Sequence, residues 1–153
     1  SNQGNITTPP NQLRDVLPLY TALPTDGTVI NLCANSDYDS GRDGNKLAEY
    51  RYLTFTTTSS AQYTITIATT TPTPVTADPD DRDQSDPDMY VYRNGVEVVR
   101  GISGTANLEV FTTPTLSPGI YVADLQEFRY EDEDGAPSDF PEQICFDVSM
   151  GPL

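Results

Sequence analysis

The sequence predicts an all-β domain: an antiparallel β-sandwich, jelly-roll-like, of about eight short strands. Three observations predict it. Short runs alternate apolar and polar side chains with a period of two. Turn-forming residues separate these runs. No stretch carries a sustained helical period.

The strands follow in order. Thr28–Cys33 is a β-branched run after an Asp26-Gly27 turn. Tyr50–Thr56 places Leu53 and Phe55 on one face and Tyr50, Tyr52 and Thr54 on the other. Tyr63–Ile67 alternates cleanly, with Tyr63, Ile65 and Ile67 toward the core. Asp88–Arg93 runs into Asn94-Gly95, the strongest short hairpin signal, and Val96–Val99 returns antiparallel. Asn107–Phe111 and Gly119–Leu125 are two more, and Ile144–Val148 closes the set with Ile144, Phe146 and Val148 inward. Strands this short, each with one apolar face, are buried by stacking two sheets face to face.

The chain has 153 residues, which suits one domain and suffices for a hydrophobic core. Residues 1–24 read as a leader or linker, rich in proline, in which Leu13, Val16, Leu17 and Tyr20 could form one helical turn packed on the domain. Ser1-Asn2 resembles the scar left when an expression tag is cleaved. Residues 25–153 read as the sandwich. Asn5-Ile6-Thr7 is a formal glycosylation sequon to which no weight is given.

Charge narrows the partners. There are 23 Asp and Glu against 8 Lys and Arg, a net charge of −15. Such a field repels phosphate backbones and anionic headgroups, which argues against nucleic acid and membrane surfaces and favours cations. No stretch is long and apolar enough to insert in a bilayer. Histidine is absent, which removes the usual general base and the commonest zinc ligand, so no enzymatic activity is expected. Cys33 and Cys145 are the two cysteines. Their even count and wide spacing predict one disulfide and a secreted, periplasmic or cell-surface location.

Two polar segments interrupt the strands. One carries Asp37, Asp39 and Asp43 with Gly41 and Gly44, and the other carries Asp78, Asp80, Asp81, Asp83, Asp86 and Asp88. Calcium takes six to eight oxygen ligands, and alternate Asp residues on a curved loop can converge to supply them. These nine residues are the candidate calcium ligands, against the alternative of solvated acidic loops. Carboxylate pairs for glycoside hydrolysis could be drawn from Glu127, Glu131, Asp132, Glu133 and Asp134, but Tyr130–Gly135 reads as a loop tip, and nothing in the sequence suggests the burial that a catalytic acid needs. Tyr50, Tyr52, Tyr90 and Tyr92 alternate on two strands, a pattern that fits either a ligand-binding tyrosine face or ordinary packing of a sheet.

One family pattern matches these residues in sequence. The aromatic strand Tyr50–Phe55 is followed by Tyr63–Ile67, then by Asp86-Pro87-Asp88-Met89-Tyr90-Val91-Tyr92 and by Leu116-Ser117-Pro118-Gly119-Ile120-Tyr121-Val122. Residues 28–148 thereby resemble the bacterial pre-peptidase C-terminal domain. The resemblance implies a jelly-roll-like sandwich found beside secreted peptidases, some relatives of which bind calcium and use surface tyrosines. It places Asp86 and Asp88 at the family's D-x-D step and Gly119 and Tyr121 at its G-x-Y step, the latter as a turn and a core aromatic. The Asp78–Asp86 stretch and the Cys33/Cys145 pair depart from the pattern, and collagen binding is not implied. The expected protein is a monomeric, non-catalytic accessory domain of a larger secreted bacterial enzyme or surface protein. The alternative is an adhesion or polysaccharide-binding module that uses its tyrosine faces.

Overall fold

The computed structural model describes residues 20–35, 51–71, 84–127 and 143–153. Among them run nine strands: β1 (Thr21–Ala22), β2 (Ile30–Asn35), β3 (Arg51–Thr57), β4 (Tyr63–Thr69), β5 (Pro87–Arg93), β6 (Val96–Gly101), β7 (Leu108–Thr112), β8 (Gly119–Glu127) and β9 (Gln143–Pro152). They form two sheets, a five-stranded one ordered β1-β3-β8-β5-β6 and a four-stranded one ordered β2-β9-β4-β7. Every pairing is antiparallel except that of β1 with β3. Each of the eight strands read from the sequence is present.

The ninth, β1, lies within the segment read as leader. It pairs in parallel with β3, Thr21 opposite Leu53, and the Leu23 amide extends the pairing by donating to the Thr54 carbonyl at 2.8 Å. Tyr20 and Leu23 are both buried. The sandwich therefore takes in Tyr20–Leu23, ahead of position 25, and Tyr20 packs beside β3; Leu13, Val16 and Leu17 lie outside the described residues.

The period-two reading holds for the core. Leu53, Phe55, Met89, Val91, Tyr121, Ala123 and Leu125 from the larger sheet meet Ile65, Ile67, Ile144, Phe146, Val148 and Met150 from the smaller one. Fully burying an aliphatic or aromatic side chain contributes about 1.5–3 kcal/mol, so this layer holds the sheets together. Phe55 and Tyr121 stack with ring centroids 5.1 Å apart, and the Tyr121 hydroxyl donates to the Ser117 carbonyl at 2.7 Å. Tyr121 is thus a core aromatic whose polar end is satisfied locally.

Turns fix the register. Asn94 and Gly95 have φ values of 51° and 78°, the successive left-handed pair that a two-residue hairpin needs between β5 and β6. β6 ends at Gly101, and the chain crosses to the other sheet as β7. A side chain at Gly101 would place its Cβ 2.2 Å from the Phe111 ring of β7, so only glycine allows the two strands to approach so closely. Cys33 on β2 and Cys145 on β9 face each other in register and are joined by a disulfide. Arg51, at the start of β3, donates from Nε to the Cys33 carbonyl at 2.8 Å and clasps one sheet to the other.

Candidate functional site

Buried acids gather at two places around the five-stranded sheet. The first sits where β5 begins and β8 ends. Glu127 is 3% exposed and accepts the Ser85 hydroxyl and the Asp86 amide, both at 2.6 Å. Ser85 also shares a hydrogen bond of 2.6 Å with Thr69 of β4, so this network joins the sheets. Nearby, Glu109 points inward from β7 and accepts both the amide and the hydroxyl of Ser103, at 2.6 and 2.7 Å. Glu127 and Glu109 are therefore buried acceptors with partners.

Asp88 is different. It is 5% exposed, and its Oδ1 is buried without a hydrogen-bond partner. Burial raises its carboxyl to about pKa 7, with Asp86, Glu109 and Glu127 adding like-charge repulsion and a Gln126 hydrogen bond opposing the rise. A carboxylate so placed takes either a proton or a cation.

Of the nine expected calcium ligands, Asp86 and Asp88 are brought together here. Asp37, Asp39, Asp43, Asp78, Asp80, Asp81 and Asp83 lie outside the described residues. Among the described residues, no three acidic, cysteine or histidine side chains are arranged to hold a metal ion. The orphaned Asp88 oxygen suits a hard cation, but a complete coordination shell would need oxygens from the segment that carries Asp78, Asp80, Asp81 and Asp83.

The second group lies on the outer face of the same sheet. Asp124, at the middle of β8, stands opposite Tyr52 of β3 and opposite Tyr90 of β5. It is 7% exposed, and its Oδ1 is also buried without a partner. Burial alone pushes its carboxyl to about pKa 7. Four tyrosines gather near it. Tyr20 stacks on Tyr52 with centroids 5.5 Å apart, and its hydroxyl, pushed up to about pKa 12 by burial and then by the Asp124 charge, is buried without a partner. The Tyr90 and Tyr92 hydroxyls are likewise raised, chiefly by burial, then by the Asp88 charge for Tyr90 and by the Asp124 charge for Tyr92. Arg100 of β6 lies over the Tyr90 ring at 5.2 Å and is tied to Glu97 at 2.9 Å.

These placements correct two readings of the sequence. Tyr52 belongs to no open tyrosine face: it is 0% exposed, since Tyr20 stacks on its ring. Tyr90 and Tyr92 are half-buried, and Tyr50 lies outside the described residues. Glu127, for which no burial was expected, is buried, because it ends β8 and accepts from Ser85 and the Asp86 amide. Glu131, Asp132, Glu133 and Asp134 lie outside the described residues.

Sequence reasoning passed over Asp124 and Glu109, and it expected Tyr20 to pack on the domain without linking it to the tyrosine strands. For Asp124 a signal existed. It interrupts Tyr121-Val122-Ala123-Asp124-Leu125, a run buried on both faces, where a lone acid has no solvent to turn to.

No protein-family model matches the chain, and no curated protein matches it. Solved structures do. One is the pre-peptidase C-terminal domain of a collagenase from Bacillus anthracis, with a TM-score of 0.54 over 86% of this chain and 95% of that one, at 10% sequence identity. Another is the Methylococcus capsulatus secreted protein MopE, described as binding copper with the help of an oxidised tryptophan, with a TM-score of 0.52 over 86% and 87% of the two chains, at 8% identity. Aeromonas hydrophila PliG, a periplasmic inhibitor of g-type lysozyme, aligns over 88% and 97% at 10% identity with a TM-score of 0.43. At these identities the likeness is one of fold: a β-sandwich of the kind seen in the pre-peptidase C-terminal domain.

Proposed function

We propose that this chain is a non-catalytic binding or accessory domain of a larger exported bacterial protein, and that calcium steadies its acidic end. The sandwich likeness to a collagenase accessory domain supports the first part, and the Cys33–Cys145 disulfide supports an oxidising compartment outside the cytoplasm. The observation that carries the calcium part is Asp88, a buried carboxylate with an orphaned oxygen amid Asp86, Glu109 and Glu127. In this reading Asp86 and Asp88 supply ligands from the sheet, and the aspartates at positions 78–83 supply the rest. Copper binding of the MopE kind has no counterpart, because this chain contains no tryptophan.

Thermal unfolding in EDTA and through a calcium titration tests the reading. A ligand that binds only the folded state raises its stability by mass action. The midpoint should rise saturably with millimolar calcium and not with matched ionic strength, and Asp88→Asn should abolish the rise. A calcium-independent midpoint would leave Asp88 as a buried acid that holds no metal and the domain as a metal-free module.

A further inference from the structure

We propose that the Asp124–tyrosine cluster on the outer face of the five-stranded sheet is a recognition site for an alkylammonium group, presented as a lysine side chain by a basic protein partner. Its Tyr90 stands two residues along β5 from Asp88, on the same face, but the cluster is centred on Asp124 and does not depend on calcium.

The geometry carries the case. Asp124 is held between Tyr52 and Tyr90 by cross-strand pairing on both flanks, and facing residues on adjacent strands have Cβ atoms about 4.5–5.5 Å apart. Tyr92 follows Tyr90 on the same face, and Tyr20 backs Tyr52. The result is a carboxylate surrounded by aromatic side chains, whose ring faces carry negative potential. Both features favour a cation, and they favour it more strongly where water is excluded.

The cluster is also unsatisfied. The Asp124 Oδ1 and the Tyr20 hydroxyl are both buried without partners, and among the described residues no basic side chain pairs with Asp124. Arg100 shows that a cation can settle on this patch, because its guanidinium lies over Tyr90. It is anchored by Glu97 at 3.0 Å, however, and so leaves Asp124 uncompensated. Leaving a buried carboxylate unpaired is costly, and a ligand that neutralises it recovers that cost on binding.

Lysine suits this carboxylate better than arginine does. Asp124 is only 7% exposed, so a ligand meets it only past the surrounding tyrosines. A compact ammonium on a four-carbon stem can reach a recessed carboxylate while its methylenes lie along tyrosine rings, whereas a planar guanidinium needs a wider fork. The net charge of −15 supplies the long-range part by steering basic partners toward the domain.

The test is a nuclear magnetic resonance titration in EDTA at constant ionic strength, with N-acetyl-lysine methylamide as probe and the norleucine analogue as uncharged control. Saturable shifts at Asp124, Tyr90 and Tyr92 are expected with the lysine probe only, and Asp124→Asn should weaken binding at least ten-fold. Tyr92→Leu, at a half-buried position, should also weaken it and provides a second variant should the first disturb folding. Tetramethylammonium as a third probe separates the sources: tighter binding of this free quaternary ion than of the lysine probe would overturn the lysine assignment. An equal response in Asp124→Asn, or shifts confined to other acidic segments, would overturn the site itself. Because EDTA is present throughout, failure here leaves the calcium reading standing, and failure of calcium binding leaves this one standing.

Discussion

Asp124 and Asp88 give the domain an unusual response to acid. Each carboxyl is raised from an ordinary value of 3.8 to about 7, so the folded state holds a proton that the unfolded chain has released. Stability then falls as pH rises, because the native state binds more protons than the unfolded one between about pH 4 and 7. For Asp124 the full effect is on the order of 4 kcal/mol at most. In EDTA the unfolding midpoint should be higher at pH 4.5 than at pH 7.5. Asp124→Asn should raise the midpoint at pH 7.5 and flatten the slope, since a neutral amide replaces a carboxylate that must otherwise be desolvated. A midpoint that rises steadily with pH would contradict the placement of both acids.

At the scale of elements, the most exacting contact is the corner where β6 hands over to β7. Gly101→Ala would drive a methyl group into the Phe111 ring, and Phe111 can yield only by leaving its place beside the core. A loss of about 1–3 kcal/mol is expected, read as a lower midpoint in denaturant with an unchanged slope. A neutral outcome would mean that the corner relaxes freely. The strands themselves were legible because each is short and amphipathic: Tyr63, Ile65 and Ile67 alternate with Thr64 and Thr66, and no other regular structure accommodates that pattern. β1 was not legible. Two residues carry no period, and Thr21–Ala22 is a strand only because Leu53 and Thr54 offer it an edge. Tyr52 was misread for a related reason. Its alternation with Leu53 is correct, but a period of two assigns faces and does not say what covers them. Its cover, Tyr20, comes from far away in the sequence.

For the whole molecule, composition was a good guide to chemistry and a poor guide to place. The net charge, the missing histidine and the paired cysteines were plain in the sequence, and the disulfide forms as expected. The acids that matter most to the described structure are few and buried, whereas the sequence drew attention to the dense aspartate runs. Asp86 and Asp88 belong to both sets, since they end such a run and begin a strand. Asp124 stands alone in an apolar strand, and a lone acid contributes almost nothing to composition. Its position becomes informative only after β8 is placed between β3 and β5, where both of its edges are paired and tyrosines flank the acid.

The cross-strand position of the disulfide has a mechanical consequence. Ile30 lies beside Val148 and Cys33 beside Cys145, so tension applied between the two ends of the chain peels β2 from β9 like a zipper and stops at the sulfur bridge. The force then runs from one end to the other through that bond, and the sandwich enclosed between positions 33 and 145 is shielded from it. Single-molecule pulling of the oxidised protein should show only the short extension of the segments outside the bridge. Reduction should release about 400 Å of further contour length, as expected for the enclosed chain at roughly 3.6 Å per residue. If the oxidised protein extends fully, the bridge does not close that loop. If it does not, the domain resists extension between its two ends beyond those short outer segments.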